Sequence, residues 1–385
     1  MRYRLTCLTP LLVGDGQKLS PIDYMVWKDQ VNVLDQRRIF RLLAKGPRLD
    51  GYLVQLKKAT RLDFASWGGF AQNFADRRVP FESPGSASHW EKASGESLHI
   101  PTFVTGLRGP YLPGTAIKGA LRTALVCTSV RNTAMRELAA GLQGERSARY
   151  ASAALEEHAL GHSGVSRTRA IQVADSDPIE RSAFRVHLLR VSTLLPKGPS
   201  AYSLGWKLSP RGSVDGRKPE ESTPHFAEMA VPGTTFEGEW RERAFFSQPE
   251  VRRVLRWPEA SDRVHQFSAA NKFAAQVLEL HKKYAAWASL DLLQQTIAGL
   301  EARLASVSGG EAGRACVLVM GWGSGLLSKS AWLDTSAPEY RQVMRNLPLY
   351  ENVAGSPLPF PKTRRIVFTG NRPASLPGWV LLEVV

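Results

Sequence analysis

Gly109-Pro-Tyr-Leu-Pro-Gly-Thr-Ala-Ile-Lys-Gly-Ala-Leu-Arg122 is the stretch on which the reading of this chain turns. Gly114 supplies turn freedom, and Thr115 is placed to cap a helix running from about Ala116 to Val126. Ile117, Ala120, Leu121, Ala124 and Leu125 recur at helical spacing and form its core stripe. Lys118 and Arg122, one turn apart, share another face. A helix start with open N–H groups, backed by two cations, suits a phosphate. The same pattern also describes a capped amphipathic helix whose cations face water.

A second segment has related chemistry. Cys316–Met320 is a short apolar strand, and it runs into Gly321-Trp-Gly-Ser-Gly-Leu-Leu-Ser-Lys-Ser330. Alternating glycines after a buried strand can aim several backbone N–H groups at one anion. The loop is not a Walker A motif, because Ser328 stands where glycine must precede the Lys-Ser pair. It is not GxGxxG either, so nucleotide hydrolysis is disfavoured. A plain strand-to-helix turn is the bland alternative.

Composition points the same way. The 385 residues carry 50 Lys+Arg against 35 Asp+Glu, a net charge of +15, and the pI is near 9.9. Such an excess attracts polyanions, which makes nucleic acid the leading partner class. Hydrophobic residues make up 43%, enough for substantial cores. Cys7, Cys127 and Cys316 lie far apart, which excludes a disulfide framework or a CxxC zinc site as the primary reading. No signal peptide or long apolar span is evident, so the expected compartment is the cytoplasm, with no membrane association.

Reading outward, Arg2–Thr9 alternates as a strand, with Tyr3, Leu5 and Cys7 on one face. Gly14-Asp15-Gly16 is a tight turn. Strands follow at Tyr24–Trp27 and Val31–Leu34 around a Lys28-Asp29-Gln30 turn, then a short helix over 36–44 with Ile39, Leu42 and Leu43 inward. Residues 60–95 read as an irregular, partly helical insertion. After a strand at Leu98–Val104 and the 116–126 helix, 131–160 is helical and Thr168–Val173 is extended. Arg185–Thr193, Phe226–Val231 and Thr235–Trp240 are strands around a basic loop at 196–225. Helices cover Asp262–Ala288, with Val264, Phe267, Phe273, Val277, Leu280 and Tyr284 inward, and 290–307, with Leu293, Ile297, Leu300 and Leu304 inward. Closing strands fall at Arg365–Thr369 and Val380–Val384. Strands and helices without βα regularity predict two α+β domains, 1–175 and 176–385, rather than a doubly wound sheet.

Together the two glycine segments resemble the CRISPR RAMP superfamily. Leu112–Arg122 looks like its signature turn-helix, and Gly321–Gly325 resembles its glycine-rich loop. Leu8-Thr-Pro-Leu-Leu-Val-Gly-Asp-Gly16, Leu19–Tyr24, Gly378-Trp379-Val380 and the chain length are similar to the subunit 5 family of type III-A Csm complexes. The resemblance implies two ferredoxin-like (RRM-like) RAMP domains, with a helical insertion at 262–307, and no nuclease chemistry, metal or cofactor. It implies a place capping the backbone filament near the crRNA 3′ end, supporting crRNA maturation and assembly. Its partners would be crRNA, target RNA, the adjacent backbone RAMP subunit, the small helical subunit and a trimming exonuclease.

Carried over by position, Gly14, Asp15, Gly16 and Lys18 would border the RNA. Gly114, Thr115, Lys118 and Arg122 would bind its phosphates, and Gly321, Gly323, Ser324, Gly325 and Lys329 would belong to the second loop. Such families also push a β-hairpin thumb between bases. Residues 196–218, with Lys197, Tyr202, Trp206, Lys207 and Arg211, are the candidate, and a disordered basic loop is the alternative.

Other constellations are weaker. His158 and His162 lie one turn apart but are not HExxH, and Asp175 and Asp177 before Pro178 suit turn capping. His99, His187 and His225 show no spacing that nominates a base for a 2′-OH. Two rival functions stand beside the binding role. One is a metal-dependent RAMP endoribonuclease using Asp15 or Asp23, and the other is an adaptor recruiting a trimming nuclease.

Overall fold

The computed structural model describes residues 1–58, 73–130, 133–142, 152–198, 201–208, 215–257, 261–347, 350, 356 and 358–385. Its core is built on two sheets. The first is five-stranded and antiparallel, in the order Ala315–Val319, Trp379–Val384, Arg2–Cys7, Thr235–Glu242 and Ile171–Ser176. Leu5 sits between Leu382 and Phe236 across the register. Tyr3, Leu5 and Cys7 are buried as the alternation predicts, while Arg2 and Arg4 face outward to Asp177 at 2.6 Å and Glu237 at 2.7 Å.

This sheet draws strands from both sides of residue 175. The long sequence separation between Arg2–Cys7 and Trp379–Val384 leaves no trace in local periodicity. The second sheet runs Asp215–Gly216, Tyr202–Lys207, Phe184–Pro196, Thr363–Thr369, Arg372–Ser375, with His225–Ala230 also beside Phe184–Pro196. Helices Gly114–Ser129 and Arg263–Trp287 pack on the first sheet, where Trp240 meets Phe267 edge-on at 5.5 Å. The neighbouring helix Asp291–Ser308 buries Leu293, Ile297, Leu300 and Leu304, as its spacing predicts. Thr296 on that helix bonds Ala374 O, and Tyr284 bonds Ser192, which ties the helices to the second sheet as well.

Several expectations are corrected. Val264 is exposed, because the helix starts at Arg263 under an Asp262 cap that accepts from His265 N at 2.9 Å. Leu42 is exposed while Ile39 and Leu43 turn inward. The 168–173 strand starts at Ile171, because Arg167–Ala170 forms a 3-10 turn that buries Arg167. The insertion read as irregular and partly helical does hold a helix, Pro84–Glu91, but also a strand that was not expected, Ala75–Pro80. Residues 60–72 of it lie outside the described residues.

Ala75–Pro80 pairs with Gln30–Leu34, which returns from Tyr24–Trp27 through Lys28 and Asp29, both at positive φ as a tight hairpin requires. The Arg77–Glu228 ion pair pins this small sheet to the second large one. Helix Pro338–Arg345 was not anticipated. Among the described residues, no helix is long and apolar enough to cross a membrane.

Candidate nucleic-acid interface

The helix at Gly114 begins against the sheet edge. A Cβ on Gly114 would lie 2.2 Å from Val173 O and 2.6 Å from Ala174 O, so glycine is needed for close approach rather than for φ. Gly114 N–H donates to the Asp175 carboxylate at 2.9 Å. Leu112 N–H donates to Ser176 Oγ, and Ser176 N–H returns to Leu112 O. Pro113, not Thr115, occupies the cap position. The negative charge at this helix start therefore belongs to the protein itself, and Thr115 makes no capping bond there.

The flank of the same helix is different. Ala116, Gly119, Ala120 and Thr123 follow one another at three- and four-residue spacing and face a cavity of about 410 Å³. A Cβ on Gly119 would meet nothing within 4 Å. Small side chains leave this surface low enough for a ligand to approach the helix backbone.

The glycine loop forms the opposite wall. Gly321, Gly323 and Gly325 have φ of 84°, 85° and 87°. Trp322 N–H donates to Leu12 O at 2.7 Å, and a Cβ on Gly321 would lie 2.4 Å from that oxygen. Ser324 Oγ donates to Gly321 O, and Ser328 Oγ donates to Ser324 Oγ, both at 2.8 Å. The loop is thus held by its own hydroxyls and by the N-terminal segment. Gly321, Trp322, Ser324, Ser328 and Lys329 line the large cavity. Gly323 and Gly325 line a smaller one of about 200 Å³, with Arg364 and Arg365.

Gly14, Gly16, Gln17 and Lys18 complete the large cavity. Asp15 accepts from Gln17 N at 3.0 Å, and Gly16 turns at φ 93°. Lys18 leads into a two-residue pairing with Pro101. Three segments far apart in the chain, near residues 16, 120 and 322, thus meet around one space. Its charged lining residues are Lys18 and Lys329, both exposed. That makes it a slot for an anion with a backbone-sized approach.

A family model described as "RAMPs: RAMP superfamily" matches residues 4–262. The chain belongs to the RAMP superfamily. Solved structures share the fold of this RAMP protein. A chain of a Csm–crRNA–target RNA ternary complex of a type III-A CRISPR-Cas system, solved by cryo-EM, is 20% identical, with 100% of both chains covered and a TM-score of 0.71. The crystal structure of T. onnurineus Csm5 is 18% identical, with 98% of this chain and 99% of that one covered, at a TM-score of 0.60. None of the curated proteins matches the chain.

Other residues predicted for RNA lie elsewhere in this RAMP protein. Lys118 and Arg122 are on a different helix face from the cavity. Burial, and then nearby Arg243, pull the Lys118 pKa down, and Arg122 is paired with Glu156. Trp206 is 1% exposed and packs against Phe368 at 5.5 Å, so its ring is core and unavailable to a base. The expected thumb strand Tyr202–Lys207 pairs with Ser192–Pro196 of the second sheet, and Tyr202 packs edge-on against Trp287 at 5.2 Å. Lys197 is exposed at its turn, Lys207 is half-buried, and Arg211 lies outside the described residues.

The weaker constellations are absorbed locally. Asp23 accepts from Ser20 N and Oγ, Asp177 pairs with Arg2, and His162 pairs with Glu157. Among the described residues, no group of three or more His, Cys, Asp or Glu gathers to hold a metal. The helix flank at Ala116–Thr123 and the ring of Trp322 are the cavity features that sequence reading missed. The signal for the first was present as a run of small residues at helical spacing.

Proposed function

We propose that this RAMP protein is a crRNA-binding subunit of a type III-A Csm effector complex, resembling Csm5 and without catalysis of its own. It would cap the backbone filament near the crRNA 3′ end and support maturation and assembly. One observation carries the RNA-binding role: the Gly14–Lys18 turn, the flank of the Gly114–Ser129 helix and the Gly321–Lys329 loop converge on one lysine-flanked cavity. Full-length likeness to a chain of a crRNA-bound Csm assembly supports the choice of partner. A ferredoxin-like unit drawn from both ends of the chain is supported by strand order, since Arg2–Cys7, Ile171–Ser176, Thr235–Glu242 and Trp379–Val384 occupy sheet positions in the sequence 4-1-3-2. Target RNA, the neighbouring RAMP, the small helical subunit and a trimming exonuclease belong to the same proposal.

The non-catalytic part is supported by the turn bonds that occupy Asp15 and Asp23. Purified protein incubated with labelled single-stranded RNA and Mg²⁺ tests both halves. Retention of the RNA on the protein with intact strands is expected. Cuts that disappear on Asp15→Ala or Asp23→Ala would replace this reading with a metal-dependent nuclease.

A further inference from the structure

Trp322 is the aromatic residue of the glycine loop, and the backbone fixes how it is presented. Its N–H is bonded to Leu12 O at 2.7 Å, and the glycines on either side both have positive φ. The guanidinium of Arg365 lies over the indole, 4.3 Å from the ring centroid. Arg365 lines the smaller cavity and not the larger one, whereas Trp322 lines the larger. The guanidinium thus occupies one face of the indole, while Trp322 itself borders the large cavity. Arg365 Nε has no hydrogen-bond partner among the described residues, so the ring is a principal contact of this largely buried cation.

We propose that Trp322 is a base-stacking platform, on which an unpaired nucleobase of single-stranded RNA lies while the flanking phosphates meet Lys18 and Lys329. The proposal rests on the RNA-binding reading above and adds what that reading lacks, a contact to a base. Every base has a π-face, so the contact is tolerant of sequence, as a protein carrying many different RNAs requires. Arg365 on the far face completes a cation–ring–base sandwich.

The test uses the full chain with a short single-stranded RNA and with the same strand carrying abasic nucleotides. Trp322→Ala is expected to weaken the intact strand about tenfold and Trp322→Phe much less. The wild type should lose about the same factor when the bases are removed, and Trp322→Ala should then lose little more. Binding should quench part of the emission of the ten tryptophans, and that part should vanish in Trp322→Phe.

Wild-type affinity in a folded Trp322→Ala protein overturns the stacking role. So does an equal loss on intact and abasic strands, which marks a packing role. A wild type that binds neither strand overturns the RNA-binding reading itself, and stacking with it.

Discussion

Neutralising the two cavity lysines, Lys18→Gln with Lys329→Gln, should weaken RNA binding and flatten its salt dependence. Both ammonium groups line the cavity and both residues are exposed, so their removal leaves no buried charge behind. For a single strand, each phosphate contact contributes about 0.7 to the slope of log K against log salt. Two contacts give a slope change of about 1.4, and at roughly 0.1 M salt that corresponds to about 25-fold in affinity.

Lys118→Gln with Arg122→Gln removes the same formal charge. Arg122 is already engaged by Glu156 and Lys118 is partly buried beside Arg243, so the slope should change by less than half as much. Fluorescence anisotropy of a labelled single strand, titrated from about 50 to about 300 mM salt, reads both pairs. Equal slopes for wild type and the Lys18/Lys329 variant would refute the reasoning. A larger effect from Lys118/Arg122 would return the site to the helix start.

Gly114→Ala must push Val173 O and Ala174 O, 2.2 and 2.6 Å from the new Cβ, and should cost about 3 kcal/mol in urea unfolding. Gly119→Ala, on the same helix in open space, should instead stabilise by about 0.5–1 kcal/mol, and matching losses would discredit the close-approach account. Arg77→Met strands the buried Glu228 carboxylate and should cost about 3–5 kcal/mol, most of it restored by adding Glu228→Leu; a double variant as unstable as the single would contradict this. His187 is buried with no hydrogen-bond partner among the described residues, and burial, then Arg185, pull its pKa down to about 4. The unfolded imidazole takes up its proton from about pH 6.5 downward while the folded one stays neutral, so stability is full above that value. It is lost at about 1.4 kcal/mol per unit as pH falls toward 4. His187→Leu should flatten that fall in denaturant midpoint, and an unchanged pH profile would count against it.

Local pattern carried much of this structure. The alternation of Arg2–Cys7, the Lys28-Asp29 hairpin and the four-leucine-type stripe of Asp291–Ser308 were legible because burial there follows a single period. Sheet membership was not, because the pairing of Tyr3 with Val384 is settled by packing between chain ends. The helix at Gly114 was legible as an element, but the carboxylate at its start was not. What neutralises its start is Asp175, sixty-one residues away in sequence and brought there by the strand that Gly114 packs on. Trp206 failed for a similar reason. An aromatic beside basic residues reads as a stacking motif, while the sheet that buries it against Phe368 forms only in three dimensions. The glycine segments themselves were legible, since their turns are local, but their meeting in one cavity was not.

Photo-crosslinking of bound RNA to the full chain, with the attached peptides identified by mass spectrometry, tests the central claim most directly. Crosslinks should fall in Gly14–Lys18, at Ala116, Gly119, Ala120 or Thr123, and in Gly321–Lys329, the three walls of the cavity. Crosslinks confined to Tyr202–Lys207, or to the Lys118 and Arg122 face, would contradict it.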